Sequence, residues 1–99
     1  MKIIKEFVDA IKDELESAEE YAEKFVEMKA KNDVPAANKY KEMANDELKH
    51  ADYEHTWALK AIDEISKVYV PPVEMQEAWE KAHKEYVQHA AWIKQMLAM

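Results

Sequence analysis

Lys31-Asn32-Asp33-Val34-Pro35 decides how this chain folds. Asn tolerates the left-handed backbone that closes a helix, Asp is a good N-cap, and proline suits a first helical turn, where its missing N–H costs nothing. One helix therefore ends and another begins within a few residues, and so short a link makes the two helices antiparallel neighbours. Upstream, Ile4, Phe7, Ile11, Ala18, Tyr21, Ala22, Phe25 and Met28 recur at steps of three and four, predicting a helix over about 3–31. Downstream, Tyr40, Met43, Ala44, Ala51, Ala58, Ile62 and Ile65 share one face of a helix over about 35–68. Pro71-Pro72 stops that helix and starts a third over about 73–97, with Met75, Trp79, Tyr86, Ala90, Ile93 and Leu97 inward. The expected fold is all-α, an antiparallel three-helix up-down-up unit forming one domain over 1–99.

Composition agrees and excludes several functions. The 99 residues contain no glycine and three prolines, so the usual residues of hairpin turns and bulges are scarce. No cysteine is present, which removes disulfides, thiolate zinc sites and thiol chemistry. A net charge of −7, with Lys interleaved among Glu and Asp, argues against nucleic acid as a partner. Charge interrupts Met1-Lys2-Ile3-Ile4-Lys5-Glu6-Phe7 too early for a signal peptide. No run approaches the roughly 20 apolar residues of a membrane span. A soluble, cytoplasmic protein is expected.

Three polar residues break the apolar stripes. At about 100° per residue, Glu14 lies within about 20° of Phe7, Tyr21 and Phe25, whereas Glu16 and Glu20 fall about 200° and 240° away. Among the five acidic residues from Asp13 to Glu20, Glu14 is the one read as facing the core. On the second helix Glu47 lies within about 40° of Tyr40, Ala51 and Ala58, with His50, Glu54 and His55 inside the apolar sector or at its margin. If the chain reverses near Asn32, Glu14 stands opposite about residue 50, level with Glu47 and His50. Burying charges without a partner costs several kcal/mol or more. A metal ion is the simplest common partner, and carboxylates mixed with imidazole suit iron, manganese or zinc.

The third helix is ambiguous. His83 and His89 lie at opposite margins of its apolar sector, and Glu80-Lys81-Ala82-His83 repeats the Glu-x-x-His pattern on a poorer face. Di-metal carboxylate bundles take one Glu from each of two helices and a Glu-x-x-His from each of two others. Glu14 with Glu47 and His50 makes half of that set. A second copy of the chain would supply the rest across a two-fold axis. The competing geometry completes the site within one chain through Glu54, His55 and His83. Without metal, the same residues would form a polar network that fixes helix register.

Glu14-Leu15, Tyr21 and Asp46-Glu47-Leu48-Lys49-His50-Ala51-Asp52 together resemble the first half of ferritin-like proteins, nearest the bacterioferritin and rubrerythrin groups. The resemblance covers roughly residues 7–60. The whole chain also resembles small uncharacterised ferritin-like proteins of phage and bacterial origin, through Ser17-Ala18-Glu19-Glu20-Tyr21 and the Trp79-to-His83 segment. The resemblance implies Glu14 as terminal or bridging ligand, Glu47 as bridging ligand, His50 as terminal ligand and Tyr21 as a hydrogen-bond donor behind them. It further implies a homo-oligomer that completes the bundle, and iron as the metal. Any turnover would be oxidation of Fe(II) by dioxygen or peroxide, a di-iron, ferroxidase-like oxidoreductase. The alternative function is a non-catalytic helical interaction protein whose Glu/His network sets assembly.

Overall fold

The computed structural model describes residues 2–99, apart from the side chain of Ile3. It contains three helices, α1 (Lys2–Ala30), α2 (Val34–Ser66) and α3 (Val73–Leu97), and among the described residues no strand. Asn32 has φ of 60°, the left-handed value its sequence position anticipates. The amides of Asn32 and Asp33 donate to the carbonyls of Lys29 and Met28, the paired bonds of a Schellman cap. Asp33 accepts the Ala36 amide at 3.2 Å, and Val34 and Pro35 fill the first turn of α2. Five residues thus satisfy most of the backbone groups that two abutting helix ends leave open.

α2 ends at Ser66, two residues before the expected Val68. Proline disfavours helical geometry in the residue before it, and Val68-Tyr69-Val70 leads directly into Pro71-Pro72. The last turn instead closes through the amides of Val68 and Tyr69 on the Ile65 carbonyl. Pro72 opens α3 without a side-chain cap, its carbonyl accepting from Met75 and Gln76.

The core depends on alanine. Ala37, Ala44, Ala51 and Ala58 are buried along α2 at seven-residue spacing, the repeat that keeps one stripe against a neighbouring helix. Facing them, α1 buries Ile11, Leu15, Ala18, Ala22 and Phe25. Methyl-sized side chains on α2 leave room for the longer ones of α1, and α1 and α2 form the closest helix pair. α3 joins the same core through Ala90, Ile93, Met96 and Leu97, all in its last two turns. Its first half sits more loosely: Met75 and Trp79 line a cavity of about 360 Å³ with Ile4, Ile62 and Ile65. Individual contacts tie the ends together. Lys29 donates to the Met99 carbonyl, and the Lys41 ammonium lies 5.7 Å from the Phe25 ring centroid. The resulting rod measures 55 × 17 × 17 Å, and no helix in it is long and apolar enough to cross a membrane.

The expected stripes match this burial with three omissions, Leu15, Ala37 and Met96, all nearly covered. Because the alanine seam has no spare volume, Ala51→Leu should destabilise the protein by about 1–3 kcal/mol through overpacking. Ile93→Ala, which empties a fully covered site on α3, should cost about 2–5 kcal/mol. Urea unfolding followed by circular dichroism measures both.

Candidate metal centre

Antiparallel passage of α1 past α2 brings Glu14, Glu47 and His50 to one level. One potential ligand atom from each lies within 4.8 Å of the others. His50 Nδ1 is 3.9 Å from a Glu14 oxygen and 3.9 Å from a Glu47 oxygen. Metal bonds of about 2.0–2.2 Å place neighbouring ligand atoms about 3 Å apart. The three groups therefore stand more open than bound ligands and would have to rotate inward to hold one ion.

The burial differs from expectation. No charged residue among those described is fully buried. The Glu14 and Glu47 side chains are 23% and 26% exposed, and that of His50 is 59% exposed. The reason is that α3 does not cover this side of the α1–α2 pair, so the seam opens to solvent beside His50. The desolvation that the sequence suggested acts on single atoms instead. Glu14 Oε2 and Glu54 Oε2 are both out of contact with solvent, and neither has a hydrogen-bond donor.

Glu54 explains much of the local electrostatics. Burial first, then the facing Glu54 carboxyl, raises the Glu14 pKa from 4.5 to about 7; Glu47 adds to the rise and His50 opposes it. Two ionised carboxylates offer each other no donor, so a hydrogen bond between them exists only when one carries a proton. The pocket thus lacks a positive charge. A proton would supply it partially, and a divalent cation, if held by Glu14, Glu47 and His50, would supply it more fully. The donor set of two carboxylates and one imidazole fits iron, manganese or zinc.

His55 and His83 do not join this cluster. Five residues separate His50 from His55, a rotation of about 140°, which turns His55 to the other side of α2. There His55 Nε2 meets His83 Nδ1 at 2.8 Å. Burial, then the charge of His83, hold the His55 pKa below its usual value, with Asp52 opposing. In this structure His55 and His83 face each other and the converging set is Glu14, Glu47 and His50; of the residues expected to complete the site within one chain, Glu54 adjoins Glu14. Tyr21 is also placed differently from its implied role. Its ring stacks on Tyr40, centroids 6.4 Å apart, and among the described residues no hydrogen bond links its hydroxyl to Glu14 or Glu47. Seven residues of helix carry it about 10 Å from the level of Glu14.

The sequence reading passed over Glu19, which is partly buried and accepts from or pairs with His89 Nε2 at 3.2 Å. Glu19 lies about 140° from Glu14 on the helical wheel. It faces α3, whose side of approach the α1 and α2 patterns do not encode.

Glu14 gives a pH signature. Its folded pKa stands above its unfolded value, so in metal-free protein its contribution to stability is present below pH 4.5 and is lost as pH rises through about 7. Melting temperatures of metal-free protein and of Glu14→Gln should therefore diverge with pH: the variant gains relative to the parent between pH 5 and pH 8. Parallel curves would contradict the placement of Glu14.

The chain matches no family model, no curated protein and no solved structure.

Proposed function

We propose that this protein is a ferritin-like metal-binding protein that holds a divalent ion, iron in the first place, through Glu14, Glu47 and His50. The observation that carries the reading is the convergence of those three groups around a solvent-free Glu14 oxygen that has no donor. In this reading the three helices run up, down and up. The meeting of Glu14 with His50 and of Lys29 with Met99 supports that order. The proposed setting is the cytoplasm.

A second copy completes the site. Three protein ligands leave a metal ion with open positions, and His50 faces outward. On the same exposed strip of α2 stand Tyr53 and Trp57, 70% and 59% exposed, three and seven residues beyond His50. Aromatic side chains in such positions are the usual anchors of a protein interface. Two chains packed there about a two-fold axis would bring together two copies of the Glu and Glu-x-x-His set, the complement of a di-metal bundle.

The residues have distinct parts. Glu14 and Glu47 would neutralise the ion, His50 would supply an imidazole nitrogen, and the Glu54 carboxyl stands behind Glu14. Bound iron supplies one-electron chemistry toward dioxygen or peroxide. Similar bundles differ in whether they store, oxidise or merely bind, so an oxidoreductase activity belongs to the test. The proton-sharing geometry of Glu14 and Glu54 favours one other reading, a metal-free interaction protein in which that pair fixes helix register.

Anaerobic titration with Fe(II), with solution mass measured by sedimentation, separates the readings. The expected result is one iron per chain in a dimer or larger assembly, and a ferric absorbance on exposure to air if the site turns over. Groups that merely orient ligands are worth about 10–100-fold in affinity, so His50→Ala and Glu47→Gln should each weaken binding at least that much. No binding by the parent would leave the interaction reading. Binding by a monomer would remove the shared site.

A further inference from the structure

The histidine pair between α2 and α3 has a chemistry of its own. His55 Nε2 and His83 Nδ1 stand 2.8 Å apart. The His55 ring is gripped by aromatic neighbours: Tyr86 lies 4.5 Å away by centroid at an interplanar angle of 10°, and Trp79 lies 5.9 Å away. His83 is the more exposed of the two, its ring stacked on His55 at 4.9 Å and lying 6.3 Å from Trp79. One proton between the two nitrogens makes their hydrogen bond, so one of them is always a neutral lone-pair donor.

The separation is that of two ligands on one ion. Metal–nitrogen bonds of about 2.0–2.1 Å that meet at a right angle hold their nitrogens about 2.9 Å apart, and a tetrahedral angle holds them about 3.3 Å apart. Because His83 is on the exposed side of the pair, a turn of its side chain would be enough to aim both lone pairs at a common point without moving a helix. Asp52, which accepts from the Tyr86 hydroxyl at 3.4 Å, adds a negative charge nearby. Both histidines border a cavity of about 90 Å³, room for an ion that keeps water ligands.

We propose that His55 and His83 form a second metal site, a two-imidazole clip for a late divalent ion such as zinc, nickel or copper that ties α3 to α2. Imidazole donors suit these ions, and affinity rises along the series toward copper, whereas the carboxylate-rich centre accepts manganese and iron(II). The clip lies where it has most effect. α2 and α3 face each other across this region through long side chains rather than close backbone packing. An ion there replaces one shared proton with two coordinate bonds.

Zinc titration of the double variant Glu14→Gln/His50→Ala tests this site independently of the carboxylate centre, which that variant lacks. Calorimetry should find one zinc per chain, and the melting temperature should rise with zinc concentration. Adding His83→Gln, an exposed change that keeps a hydrogen-bonding side chain beside His55, should weaken zinc binding at least tenfold and abolish the shift. Adding His89→Gln should leave both unchanged. The proposal is overturned if the double variant takes up no zinc, or if His83→Gln binds it as tightly as its parent.

Discussion

The close contact of α1 with the alanine stripe of α2 governs the rest of the molecule. Ala37, Ala44, Ala51 and Ala58 give α2 a face narrow enough for the longer side chains of α1 to pack across it. That contact, anchored by the cap at Asn32 and Asp33, sets the relative height of every residue on the two helices. Glu14 meets Glu47 and His50 because the turn and the stripe together allow one register. A shift of a single helical turn would move Glu14 about 5 Å and dissolve the cluster.

Polar residues on the two sides of this pair have separate roles. On the side α3 leaves open, the carboxyls of Glu14, Glu47 and Glu54 gather beside His50 at the edge of the apolar seam. On the side α3 covers, polar links bridge a looser interface: His55 to His83, Tyr86 to Asp52 and His89 to Glu19. Only the last turns of α3 contribute fully buried side chains. The α1–α2 pair is thus the rigid platform for the centre, and α3 is the element most open to adjustment by protonation or by a bound ion.

Much of this was legible because local chemistry dictates it. The Asn32–Pro35 punctuation fixed the first turn, and three- and four-residue periodicity placed most buried positions. Rotation and height, two independent measures, brought Glu14 to Glu47 and His50. What escaped depends on how three elements meet. Wheels assign a facing direction to a helix but not which flank its third neighbour covers, so His50 read as inward and emerged exposed. For the same reason Glu19 read as solvated, and His55 and His83 read as added ligands when they face one another. Glu54 fell inside the apolar sector of the wheel, seven residues after Glu47, but its pairing with Glu14 depends on how α1 and α2 meet. α2 ends short of the Val68-Tyr69-Val70 link, where Pro71 holds Val70 out of helical geometry.

Anomalous X-ray scattering from crystals grown with manganese, recorded above and below the metal edge, tests the central claim most directly. The account predicts a peak within bonding distance of Glu14, Glu47 and His50, with a second copy of the chain facing it across a two-fold axis. A protonated Glu14–Glu54 pair with no peak beside it, at a manganese concentration that saturates any solution binding, would contradict it.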